Sequence, residues 1–261
     1  MLVGTSDLSR WESATPASPD QAKALDLGMV RWMQLTYEPT GNCVHLFPFG
    51  LHPTTPVLVT MQFWNVREGD LGPFNMAQVR LTCRAGIRIR ALTTNAVVDN
   101  PDVAKVLSEG WGYPPNVGTI DLSWRTDQVS ARVEVDGKCV LGGKMEMPMP
   151  ISVDDLQHIT SINPALVGNE LRFLQAEPQI ANLGVQRAAP HLTSFDCDFW
   201  NLTDHAPTYP VIAACADVEM SLPPVRFIQD PAQLAHKGTI AVKAAWRKGR
   251  QSGLKKEHDY G

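Results

Sequence analysis

The sequence lacks any apolar run near the roughly 18 residues needed to cross a bilayer. Its first residues, MLVGTSDLSRWESATP, have no basic region ahead of an apolar stretch. Neither an anchor nor an export signal is therefore expected, and the chain reads as soluble and cytoplasmic, with no membrane partner. Cysteine is sparse: five residues, at 43, 83, 139, 197 and 215, with no C-x-x-C pair. An odd, widely spaced set argues against a disulfide frame or a zinc site and for reduced, mostly buried thiols. Also missing are G-x-x-x-x-G-K-[ST], a helix-opening G-x-G-x-x-G, G-x-S-x-G and H-E-x-x-H, so nucleotide, serine-hydrolase and zincin chemistries lose their usual support. No two histidines stand at metal-ligand spacing on one helix face or at alternate strand positions. Asp196 and Asp198 flank Cys197 in an alternating run and would share one strand face, which could hold a hard cation, but a polar outer strand face is the preferred reading. No metal and no organic cofactor is expected.

What the sequence does have is a core. Its 261 residues are 44% hydrophobic and 19% charged, too apolar to stay disordered and short enough for one β-rich domain. The net charge of −4 is unevenly spread, because residues 236–261 carry seven Lys/Arg against Glu257 and Asp259. That basic tail reads as a solvated terminus, not a nucleic-acid site. Residues 1–26, rich in Ser, Pro, Asp and Ala, read as an extended arm, leaving a single domain over 27–235.

Within that domain, short apolar or alternating runs predict strands at 29–38, 43–49, 57–66, 76–84 and 87–98. One helix follows, with Asn100 as cap, Pro101 at its first position, Val103, Val106 and Leu107 on one face, and Gly110 as its stop. Further strands are expected at 118–124 and 129–135. Asp136-Gly137 then marks a tight hairpin into a strand through Val140 toward Met149. After a Pro- and Asp-marked bend come strands near 171–176, 180–187, 192–200 and 208–220. The fold class is mostly β (α+β): an antiparallel barrel, open or closed, with a few peripheral helices.

Two segments narrow this further. Leu71-Gly72-Pro73-Phe74-Asn75 leads into a central strand, and NAVVDNPDVAKVLSEGWGYP runs from Asn95 to Pro114. The first resembles the Gly-Pro-Tyr-x-Glu turn of the acetoacetate decarboxylase-like superfamily. The second resembles that family's stretch ending Arg-Glu-x-Trp-Gly-aromatic-Pro. The spacing between the two fits, and the resemblance extends over about residues 29–228. It implies an antiparallel β-barrel or cone that binds a small carbonyl substrate, usually as a Schiff base on a lysine whose amine is kept neutral by its surroundings. It also implies a homo-oligomer, with the 1–26 arm as a candidate for wrapping a neighbour.

The chain departs from that pattern where the chemistry sits. Relatives carry Lys-Lys after the aromatic-Pro pair, and here Pro115 and Asn116 follow. A proline side chain cannot attack a carbonyl, so imine formation from this loop is excluded. Lys105 and Lys144 are the candidates for a relocated amine, and both read as solvated. The turn's glutamate is replaced by Met76 or, two residues on, Gln78. Arg31 is the candidate for the family's first-strand cation. Glu109, retained before the loop, is the expected general acid or base, because a carboxylate beside Trp111 and Tyr113 would have a raised pKa. Arg31, Arg88 and Arg90 are candidates for binding a carboxylate or enolate, although an outer face suits Arg88 and Arg90 better. Gln62, Asn75, Gln78 and Asn116 are candidate neutral donors to a carbonyl, and Trp64, Trp111 and Tyr113 candidate pocket walls. The catalytic set is thus Glu109, Arg31 and Asn116; the binding set is Gln62, Trp64, Asn75, Gln78, Trp111 and Tyr113. The expected activity is noncovalent acid/base and enolate chemistry on a keto-acid or polyketide-like substrate: cyclisation, dehydration or hydration, isomerisation, or decarboxylation. The alternatives are a non-catalytic ligand-binding barrel and a Schiff-base decarboxylase with a displaced lysine.

Overall fold

The computed structural model describes residues 2–243. Strands dominate, as the alternating patterns predict. The first half supplies β1 (Leu25–Pro39), β2 (His52–Pro53), β3 (Val59–Val66), β4 (Phe74–Ala85) and β5 (Arg88–Val98), then helix α1 (Pro101–Trp111). The second half supplies β6 (Asn116–Val117), β7 (Thr119–Trp124), β8 (Gln128–Val135), β9 (Lys138–Glu146), β10 (Met149–Ile151), β11 (Ser161–Val167), β12 (Glu170–Ala176), β13 (Gln179–Ala188), β14 (Pro190–Phe195), β15 (Pro207–Leu222) and β16 (Phe227–Gln229). A short helix α2 (Ala235–Gly238) and β17 (Thr239–Ala241) end the described chain.

Thirteen strands form one sheet, whose main path runs β10-β13-β15-β1-β3-β4-β5-β11-β12-β16-β17, while β14-β9-β8-β7 form a second. The expected barrel is corrected in two respects. Among the described residues the large sheet is an open path, and it is mixed, since β6 and β11 both run parallel to β5. Apolar side chains cover both of its faces. Met33, Leu35, Met61, Phe63, Val79 and Leu81 join the four-stranded sheet in one core. Trp32, Trp64, Met76 and Val98 join α1, β11 and β12 in the other. A sheet covered on both sides explains why β3 and β4 are buried at nearly every position.

Local chemistry accounts for the boundaries. The Asn100 side chain accepts from the N–H groups of Asp102 and Val103, and α1 stops at Gly112, φ 73°, two residues beyond the expected stop. Asp136 (φ 52°) and Gly137 (φ 75°) make the β8–β9 turn in the left-handed region. The strand expected at 43–49 is instead a 3₁₀ turn, Val44–Leu46. Its buried Cys43, Leu46 and Phe47 fall at helical, not alternating, spacing. The strand expected at 192–200 stops at Phe195, because the Asp196 carboxylate takes the N–H groups of Asp198 and Phe199, each at 3.1 Å, and turns the chain. Asp196 and Asp198 therefore do not share a strand face.

The N-terminal arm lies on its own domain: the Ala17 N–H donates to the Leu166 carbonyl, the Ser18 N–H to that of Glu109, and Trp11 packs edge-on against Phe173. Of the expected basic tail, 236–241 fold into α2 and β17, and residues 244–261 lie outside the described residues.

Candidate functional site

The register of β1, β3, β4 and β5 lines up side chains in rows across one face of the large sheet. Trp32, Trp64, Met76 and Val98 form the first row, Gln34, Gln62, Gln78 and Ala96 the second, and Thr36, Thr60 and Arg80 the third. Helix α1, Tyr113 and strands β11 and β12 close over this face. A band of amides and hydroxyls thus crosses an otherwise apolar interior.

The band is hydrogen-bonded in one direction. Gln78 Nε2 donates to Gln62 Oε1 (2.9 Å), Gln62 Nε2 to Gln34 Oε1 (2.8 Å), and Gln34 Nε2 to the Thr36 hydroxyl (3.0 Å). At its end stands Arg80, only 2% exposed. Its guanidinium donates to the Ile159 carbonyl (2.8 Å), the Ser161 hydroxyl (3.1 Å), Gln34 Oε1 (3.3 Å) and the Thr60 hydroxyl (3.3 Å). Every one of these partners is neutral, and no carboxylate pairs with Arg80 among the described residues. Burial pulls its pKa down to about 10, so it remains a cation at neutral pH. Tyr113, also buried, packs edge-on against Trp64 with centroids 6.1 Å apart. Burial raises its pKa; the charge of Arg80 and the hydrogen-bonding reach of Ser161 and Asn163 oppose that rise. The phenol therefore keeps its proton at neutral pH. Around this centre the buried Nε1 atoms of Trp32 and Trp64, Oε1 of Gln78, the Thr160 hydroxyl and Nδ1 of His158 have no protein hydrogen-bond partner among the described residues. Buried polar atoms left unpaired are costly, and five of them gather here.

The expected site residues divide between this face and other places. Gln62, Trp64, Gln78 and Tyr113 come together in it. Trp111 borders it as an anchor, its Nε1 donating to the Pro223 carbonyl (2.8 Å). Asn75 instead bonds Asp99 (2.8 Å) and Asn65 (2.7 Å), tying the ends of three strands. Asn116 donates to Asn95 Oδ1 (2.6 Å) and the Ala96 carbonyl (2.9 Å), fastening β6 to β5, and Pro115 beside it is exposed. Arg31 has the opposite parity to Trp32 and so projects to the other face of the sheet. There it lies 3.7 Å from Asp217 and over the Trp124 ring, at an open groove of about 610 Å³. Glu109 does not lie among the aromatics. Its side chain is 59% exposed on α1 and pairs with Lys105 at 4.0 Å, because the buried stripe of Val103, Ala104, Leu107 and Trp111 leaves position 109 outward. Arg88 and Arg90 both face Glu177, away from the polar band.

Lys105 is exposed and paired with Glu109, Lys144 is paired with Glu146, and none of the lysines among the described residues is buried. No group of three His, Cys, Asp or Glu side chains is gathered as metal ligands among the described residues. Sequence reasoning missed Gln34, Arg80, His158, Ser161 and Asn163. For Gln34 and Arg80 a signal was available: each interrupts an apolar strand run at the same parity as Gln62 and Gln78.

No family model and no curated protein matches the sequence. Solved structures do match in fold. Acetoacetate decarboxylase from Legionella pneumophila is similar over 81% of this chain and 88% of its own, at 11% identity and TM-score 0.66. The enduracididine biosynthesis enzyme MppR, in complex with pyruvate, is similar over 77% of this chain and 89% of its own, at 14% identity and TM-score 0.66. An acetoacetate decarboxylase-like enzyme from Sphingomonas wittichii is similar over 85% of this chain and 97% of its own, at 13% identity and TM-score 0.58. The fold expected from residues 72–118 is the fold the chain adopts: that of the acetoacetate decarboxylase-like superfamily.

Proposed function

We propose that this chain is a small-molecule enzyme that binds a keto acid by its carboxylate at Arg80 and stabilises the derived enolate without forming an imine. The observation that carries this reading is the buried Arg80 cation with only neutral partners. Desolvating an unpaired charge is expensive, and a bound anion removes that cost while gaining charge-assisted hydrogen bonds. The Tyr113 phenol, still protonated, and the indole N–H of Trp64 are donors for a carbonyl oxygen that becomes an oxyanion. One such donor can lower a barrier by about 3 kcal/mol. Enolisation is common to cyclisation, dehydration, isomerisation and decarboxylation, and the band of neutral amides suits an uncharged remainder of the substrate. The fold neighbours are enzymes, and one of them holds pyruvate, which makes a 2-keto acid the first ligand to try.

Calorimetry with pyruvate and methyl pyruvate tests the reading. The acid is expected to bind wild-type protein about 100-fold more tightly than the ester, the worth of one buried charge-assisted contact, and Arg80→Gln to erase the difference. Equal affinity for acid and ester in the wild type overturns it. Borohydride with pyruvate is expected to leave no lysine adduct; an added mass on Lys105 or Lys144 overturns the noncovalent step. Binding without any turnover identifies a non-catalytic ligand-binding protein instead.

A further inference from the structure

We propose that His158 is the general base of this site, held by Asn182 in the tautomer whose Nδ1 lone pair takes the proton from the carbon beside the substrate carbonyl; this rests on the keto-acid reading above. The tautomer follows from hydrogen-bond geometry. Asn182 Nδ2 donates to the carbonyls of Val153 (3.0 Å) and Leu156 (3.1 Å), which fixes which end of the amide is nitrogen. Its Oδ1 then faces His158 Nε2 at 2.8 Å. An amide oxygen only accepts, so Nε2 carries the hydrogen and Nδ1 carries the lone pair. That Nδ1 is buried and has no partner among the described residues, an arrangement that wastes a strong acceptor unless something else meets it.

The ring is also in the right place. It stands edge-on to Trp32, centroids 4.8 Å apart, and Trp32 belongs to the inward row beside Gln34. The next residue, Ile159, supplies the carbonyl that accepts from Arg80, so the segment that carries the base also touches the anion anchor. Burial and the charge of Arg80 hold the imidazole neutral, ready to accept a proton, against the opposing effect of Asn182. In the step itself the C–H bond breaks, its electron pair forms the enolate C=C, and the carbonyl π pair moves to oxygen. The proton goes to Nδ1, giving an imidazolium whose Nε2–H stays on Asn182. Returning the proton to the same or another carbon closes the cycle with no oxidant or co-reactant.

The test is deuterium entry into the methyl group of pyruvate in D₂O, followed by NMR, alongside pyruvate calorimetry. General-base deletions cost about 10²- to 10⁴-fold, so His158→Gln is expected to bind pyruvate within a few-fold of wild type and lose exchange by at least about 100-fold. Asn182→Leu, a positioning change, is expected to keep the base but lose the tautomer, with exchange down about 10-fold and the Nε2–H signature of His158 gone from ¹⁵N spectra. Exchange at the wild-type rate in His158→Gln, no exchange in the wild type, or an Nδ1–H tautomer in the wild-type spectrum overturns the assignment of His158. The spectrum decides even if His158→Gln fails to fold. Loss of the acid-over-ester preference with exchange still dependent on His158 would instead overturn the role of Arg80 alone.

Discussion

Two buried arginines on neighbouring strands show how a side chain's partners decide its use. Arg90 lies 2.7 Å from Glu177, which also takes Arg226 at 2.7 Å. That charge is internally compensated and serves the fold. Arg80 has hydroxyls, an amide and a backbone carbonyl instead, which leaves its charge uncompensated within the fold and is the ground for the proposed anion site. The contrast predicts opposite mutational outcomes. Glu177→Gln leaves Arg90 without its counter-ion and is expected to lower stability by about 2 kcal/mol in urea unfolding, with pyruvate affinity unchanged. Arg80→Gln is expected to abolish the acid-over-ester preference. The buried thiols belong with the fold as well: burial pushes Cys43 and Cys215 up to about 11 and Cys83 to about 12, so they remain protonated and unreactive at neutral pH.

Helix α1 is the element through which local sequence reaches the site, because it delivers Trp111 and Tyr113 to the covered face. Its start rests on the Asn100 cap, and Asn100→Ala is expected to cost about 1 kcal/mol. Its end rests on Gly112 in the left-handed region, where an added Cβ would meet the Ala165 Cβ at 3.1 Å and Leu174 at 3.3 Å. Gly112→Ala is expected to cost about 1–2 kcal/mol from backbone strain alone. It should also weaken pyruvate binding, since the next residue is Tyr113. A thermal melt and a titration of the same variant check both, and unchanged affinity would detach Tyr113 from the site. The glutamine ladder is the corresponding device of the strands. It exists only because β1, β3 and β4 align Gln34, Gln62 and Gln78 in register.

For the whole molecule, histidines in two places make stability depend on pH: His158 at the covered face and His45 on the Val44–Leu46 turn beside His205. Burial lowers the pKa of His158, and burial together with His205 lowers that of His45. Both histidines take up a proton more readily in the unfolded chain. Stability is therefore complete above the unfolded histidine value near 6.5 and falls as pH drops below it. Denaturation midpoints from pH 7.5 to 5 are expected to decline, less steeply in His158→Gln; parallel slopes would refute the contribution of His158. The sequence by itself determined most strands, the Asn100 cap, the Asp136-Gly137 turn and the resemblance over 72–118, because period, capping and turn chemistry act between residues close in the chain. It also singled out Gln62, Gln78, Trp64 and Tyr113, which the structure brings together on the covered face. It grouped Glu109 and Arg31 with them, and the structure places both elsewhere, since linear order does not reveal which way a helix turns its stripe or a strand its parity. Only the tertiary structure decided that Arg80 would be buried without a carboxylate and that His158, Asn182 and Trp32 would meet, because those contacts join strands far apart in sequence and are fixed by sheet register and by the segment that closes over it.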